Sequence, residues 1–148
     1  MTMTIARFII AAALAGGIAA SLSAADPVKT SAQGIYTEAQ AAEGAELYQG
    51  SCAACHGVAL GGSMETPPLN GKWVANWAGK PMSHVVDYIS HAMPLYAPGS
   101  LSPEDNAKIV AYLLKANAMP AGSVALPSDP AALDKLRFDV AKRYEPKP

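Results

Sequence analysis

Cys52-Ala53-Ala54-Cys55-His56 is the stretch that decides how the chain is read. Two thiols three positions apart, followed at once by a histidine, form the spacing used for covalent attachment of haem. In a helical segment, residues three and four apart share a face. Cys52, Cys55 and His56 can then reach one planar ligand, the thiols adding to its two vinyl groups and His56 placing a ring nitrogen on the iron. That nitrogen must be unprotonated, and the other one needs an oriented acceptor. Three other chemistries use similar residues. A thiol–disulfide redox pair usually accompanies a βαβ pattern, which the sequence lacks. A zinc site needs more ligands, and the chain has only 2 cysteines. A disulfide staple accounts for the thiols but leaves His56 unexplained.

The 148 residues suit one domain. Arg7 is the only charged side chain ahead of an apolar run from Phe8 to Ala20, and Ser23 and Ala25 fit the small-x-small cleavage rule. Residues 1–25 therefore read as a signal peptide for export to the periplasm. The run is short and alanine-rich for a bilayer span, and no second run is long enough, so no membrane span is expected after cleavage. The compartment is oxidising, yet both thiols are claimed by the haem motif. The apo chain should fold poorly, because the haem supplies much of the core. From Asp26 to Asp134 there are 5 lysines against 10 acidic residues; from Lys135 onward, 5 basic against 2 acidic. An acidic body with a basic tail gives no reason to expect nucleic acid. It can steer a docking partner, or be a solvated tail.

Residues 26–36 carry Pro27, Ser31 and Gly34 without periodicity and read as a flexible, exposed leader. Thr37-Glu38-Ala39-Gln40 is a capping box opening a helix to about Gln49, with Ala41, Gly44, Ala45 and Tyr48 on one face. Gly44 costs about 1 kcal/mol relative to alanine and needs a reason, usually the close approach of another helix. From His56 to Ser83 the chain is rich in Gly and Pro and reads as a loop, long enough to need a ligand to pack on. Ser83 can cap a helix to about Ala92, with Val85, Val86, Tyr88 and Ile89 apolar and Pro94 fixing its end. Ser102-Pro103-Glu104-Asp105 is a strong helix start, and Ala107, Val110, Leu113 and Leu114 mark its buried face. Asp129-Pro130 opens a short helix to Phe138. No strand pattern is found.

Haem iron has a second axial position. Met64, Met82, Met93, Met119, His84 and His91 are the candidates. Met93, in a Met-Pro turn at a helix end, has the best geometry for presenting a thioether. His91 is the strongest rival. Met64 lies too close in sequence to His56 to cross to the other side of the ring.

These residues together resemble a class I monohaem c-type cytochrome of the small bacterial periplasmic kind, over about residues 37–117. The resemblance rests on Gly44 and Tyr48 before Cys-Ala-Ala-Cys-His-Gly, on Pro67-Pro68-Leu69-Asn70-Gly71, on Met93-Pro94 with Pro98 to Ser102, and on Ile109 to Leu114. It implies an all-α cytochrome c fold, roughly three to five helices around one covalently bound haem c and its iron. It implies that the first and last helices cross with Gly44, Tyr48 and Tyr112 in contact. It assigns Pro67 as the carbonyl partner of His56, Leu69 to ring packing, and His56 and Met93 as iron ligands. Trp73 or Trp77 would cover a haem propionate or simply pack. Residues 118–148 form a C-terminal extension beyond the family pattern. The expected function is that of a monomeric periplasmic electron carrier, not an enzyme, taking electrons from a periplasmic dehydrogenase and passing them to a terminal oxidase or other cytochrome. The alternatives are a haem subunit of a dehydrogenase complex, or a haem protein with an open sixth position that reacts with small molecules.

Overall fold

A computed structural model describes residues 28–139. The proposed signal peptide, Asp26 and Pro27 of the leader and residues 140–148 of the tail lie outside them. The chain runs β1 (Lys29–Thr30), a 3-10 turn (Ser31–Gln33), α1 (Glu38–Ser51), α2 (Ala53–His56), α3 (Lys72–Trp77), α4 (Met82–Ala92), α5 (Pro103–Ala116), α6 (Pro130–Leu133) and β2 (Leu136–Arg137). The all-α expectation holds. No helix among the described residues is long and apolar enough to cross a membrane.

Thr37 starts α1 as its sequence suggests, its hydroxyl oxygen accepting the Gln40 amide at 3.2 Å. Gln40 itself does not close the capping box. Its side chain instead donates to the Leu126 carbonyl and accepts from the Leu126 N–H, both at 2.8 Å. α1 buries Ala41, Gly44 and Tyr48 against α5. Gly44 lies on the backbone of Lys108 and beside Tyr112, which supplies the close approach that a helical glycine requires. The Tyr48 and Tyr112 rings pack with centroids 5.1 Å apart, tilted by 45°. α5 starts on the Ser102 cap with Pro103 in its first turn, and buries Ala107, Ile109, Val110, Ala111, Leu113 and Leu114. Burying each large aliphatic side chain there contributes about 1.5–3 kcal/mol.

α4 begins at Met82, not after a Ser83 cap, because Pro81 already holds the extended conformation that precedes a helix. The Ser83 hydroxyl bonds the Asp134 carboxylate instead. Tyr88, expected on the apolar side of α4, is exposed. α3 falls inside the stretch that reads as loop. Six residues between Gly71 and Gly79 carry too little periodicity to announce a helix.

The described part of the leader is exposed only in places, at Val28, Lys29 and Gln33. Ser31, Ile35 and Tyr36 are buried, and the Tyr36 hydroxyl donates to the Met119 carbonyl at 2.6 Å. β1 pairs in parallel with β2, Lys29 with Leu136 and Thr30 with Arg137. Two residues are too few to show alternation, so the sequence carries no strand pattern there. The helix capped by Asp129 stops at Leu133, short of Phe138, because the chain turns there into β2. The C-terminal segment covers the body, burying Met119, Leu126, Leu133 and Phe138.

Candidate functional site

Cys52 is a pivot between two helices. Its N–H donates to the Tyr48 carbonyl at 2.9 Å, ending α1, and its own carbonyl accepts the amides of Cys55 (3.1 Å) and His56 (2.9 Å), starting α2. One helical turn therefore carries both thiols and the imidazole. The cysteines are not bonded to each other. Burial, and next the neighbouring Cys55, push the Cys52 thiol up to about 11. Catalytic thiols in redox pairs are shifted the other way, so this environment does not suit thiol–disulfide exchange. Among the described residues no group of three or more His, Cys, Asp or Glu is assembled to hold a metal ion.

His56 is buried, and its Nδ1 lies 2.9 Å from the Pro67 carbonyl oxygen. A carbonyl only accepts, so Nδ1 carries the hydrogen and Nε2 is the ring nitrogen left to meet a metal. The loop between them is built for this contact. Gly57 ends α2 with φ 76°, and Gly62 N–H returns to the His56 carbonyl at 2.9 Å. A Cβ on Gly62 would sit 2.3 Å from the Thr66 carbonyl oxygen and 2.7 Å from Pro68 N, so only glycine lets the loop fold flat and bring Pro67 to His56. The Tyr48 hydroxyl ties the same turn down, donating to the Gly57 carbonyl at 2.6 Å.

These elements enclose a cavity of about 420 Å³, within the usual range of cofactor sites, roughly 300–1,000 Å³. All seven residues expected at a haem, Cys52, Cys55, His56, Pro67, Leu69, Trp73 and Met93, lie on its wall. Ile109 and Leu113 of α5 also line it. Met93 caps the C-terminus of α4 in extended backbone, its N–H on the Ile89 carbonyl at 2.9 Å. His91 does not line the cavity. Its side chain is 78% exposed, with Nδ1 3.2 Å from the Asp87 carboxylate. His84 is exposed elsewhere, Met82 and Met119 are in the core, and Met64 is fully exposed.

Sequence reasoning missed several wall residues. Lys72 and Asn76 of α3, Lys80, Leu95 and Tyr96 all contribute. Lys80 Nζ stands 4.9 Å over the Trp77 ring, and Trp77 packs on Tyr88 at 5.7 Å. Asn117, buried at the end of α5, donates to the carbonyls of Leu69 (2.9 Å) and Leu113 (2.8 Å) and so anchors the Leu69 loop to the helix. An asparagine just after a helix was the available signal, but its long-range partner was not. The set fits a covalently held haem: two free thiols on one turn, a histidine with its outer nitrogen already engaged, a largely apolar wall and a thioether on that wall.

Residues 39–113 match the family model described as cytochrome C oxidase, cbb3-type, subunit III. The chain is 38% identical over 80 residues to a thiosulfate dehydrogenase of Stutzerimonas stutzeri (strain A1501), a match spanning 49% of this chain and 26% of that protein. It also resembles the crystal structure of the sulfane dehydrogenase SoxCD from Paracoccus pantotrophus, with a TM-score of 0.52 and 23% identity over 79% of this chain and 66% of that one. That second likeness is one of fold.

Proposed function

The chain belongs to the c-type cytochrome family whose model covers residues 39–113, and from that premise we propose that it is the haem c electron-transfer module of a periplasmic dehydrogenase complex. When bound, haem c supplies a one-electron iron couple. In this reading Cys52 and Cys55 would hold the haem through thioethers, and His56 would ligate its iron. Pro67 keeps that ring in register by accepting its Nδ1 hydrogen. Met93, on the cavity wall, would offer a thioether sulfur to the iron, a soft donor that favours the reduced state. Leu69, Ile109 and Leu113 exclude water from the cavity, which also raises the potential. Substrate oxidation takes place on a partner, and electrons leave to a terminal oxidase or another cytochrome. The single observation that carries the reading is the convergence of the thiols, His56, Pro67 and Met93 on one apolar cavity.

The printed name of the thiosulfate dehydrogenase that the chain resembles supports a dehydrogenase's haem module over a freely diffusing carrier. It also makes thiosulfate the first substrate to test. A sixth position left open for small-molecule chemistry is disfavoured by Met93 on the wall and His91 turned away. Size-exclusion of a native periplasmic extract, with haem staining of each fraction, tests the proposal. We expect the stained chain to co-elute with a larger protein, and thiosulfate to reduce its haem in that fraction. Elution as a free monomer that no dehydrogenase fraction reduces would replace this reading with that of a soluble carrier.

A further inference from the structure

α3 is six residues long, has no side-chain cap, and yet carries much of one cavity wall: Lys72, Trp73, Asn76 and Trp77. A helix of that length has no stability of its own. Support comes from the far end of the chain. The buried Phe138 ring meets Trp73 edge-on, centroids 5.3 Å apart at 83°. Its backbone holds the exit of the same helix. Phe138 N–H donates to the Lys80 carbonyl at 2.9 Å, and the Gly79 N–H donates to the Phe138 carbonyl at 2.7 Å. Next to it, Arg137 forms an antiparallel bridge with Pro81. Lys80 N–H in turn reaches back to the Trp77 carbonyl at 3.0 Å. One residue of the C-terminal segment thus grips α3 twice, by ring and by main chain.

We propose that Phe138 is a positioning residue for the cavity, holding the α3 wall closed through Trp73 and through residues 79 and 80. Phe138 does not line the cavity, so its influence passes through Trp73. The extension beyond residue 117 is then part of the haem enclosure. The inference rests on the cavity being the haem site, as proposed above. With Phe138 reduced to a methyl group, Trp73 loses its packing partner, α3 opens more often, and small ligands reach the iron faster.

The test uses ferric holoprotein with imidazole as the entering ligand, measuring its association rate, the reduction potential and the melting midpoint. The variants are Phe138→Ala, Phe138→Leu and, as control, Leu133→Ala, whose buried side chain lies in the same segment but off the cavity. Losing one aromatic pair corresponds at most to about a tenfold change. We expect imidazole to bind Phe138→Ala about that much faster and Phe138→Leu to fall between. Leu133→Ala should keep the wild-type rate and potential despite a lower melting midpoint. Wild-type rates in both Phe138 variants, or rates that follow the melting midpoint in all three, would overturn the proposal. If Phe138→Ala does not fold, Phe138→Leu decides on the same criterion. Failure of the haem reading itself would appear earlier, as wild-type protein with no covalent haem stain.

Discussion

The Cβ that Gly44 lacks would lie 1.9 Å from the carbonyl oxygen of Lys108, so α1 and α5 meet main chain to main chain. Helix propensity alone would reward alanine at this position by about 1 kcal/mol. The overlap is with backbone, which cannot rotate aside, and overpacking costs about 1–3 kcal/mol or more. Gly44→Ala should therefore lower the melting midpoint by on the order of 10 °C. At Gly50, in the same helix, an added Cβ would meet nothing within 4 Å. Gly50→Ala should leave the midpoint unchanged or raise it, and thermal melts followed by circular dichroism compare the two directly.

Met93 lies on the cavity wall and His91 does not. The oxidised holoprotein should show a weak long-wavelength band from sulfur on iron. Met93→Leu should abolish that band and lower the potential, while His91→Ala should preserve both. A band retained in Met93→Leu would assign the sixth ligand elsewhere.

Tyr36 and Tyr48 are both pushed up to about 12, first by burial; Glu38 adds to the first, Cys52 and Tyr112 to the second. Each hydroxyl donates to a carbonyl, and ionisation would forfeit that bond. Both folded-state values lie above the ordinary 10.0, so the fold holds these protons more tightly than the unfolded chain does. Their stabilisation is complete below pH 10 and is lost as pH rises through about 12. Denaturant melts across that window should show falling stability. Tyr36→Phe should start lower, by about 1 kcal/mol for the lost hydrogen bond, and show a shallower fall.

How much of the molecule is legible in its sequence varies with the range of the interaction. Gly44 announces its neighbour because a glycine in a helix demands a cause. The haem motif, Pro67, Leu69, Trp73 and Met93 are all named by local spacing or family pattern, and all fall on one cavity. Gln40 misleads because its side chain suits two tasks, and only the folded position of Leu126 decides between them. The leader misleads for the same reason. Tyr36 is buried by a partner 83 residues away, and no local pattern encodes that distance. α3 escapes notice because its stability comes from tertiary contacts, Phe138 among them.

Gln40 offers a clean test of the link between body and tail. Gln40→Ala removes both hydrogen bonds to Leu126 and should cost about 1–3 kcal/mol. Gln40→Glu keeps the acceptor but turns the donor into a second acceptor facing the Leu126 carbonyl, so it should be no better. Limited proteolysis should cut both variants between residues 118 and 130 sooner than wild type. Equal cleavage rates in all three would mean that the pair does not hold the segment down.

Thr30 and Arg137 lie side by side in the two-stranded pairing of β1 and β2. The beginning and end of the described chain are thereby buttoned together, and neither can fray without releasing the other. Arg137 also bridges Pro81, so a break in the clasp would reach the exit of α3 through the neighbouring Phe138.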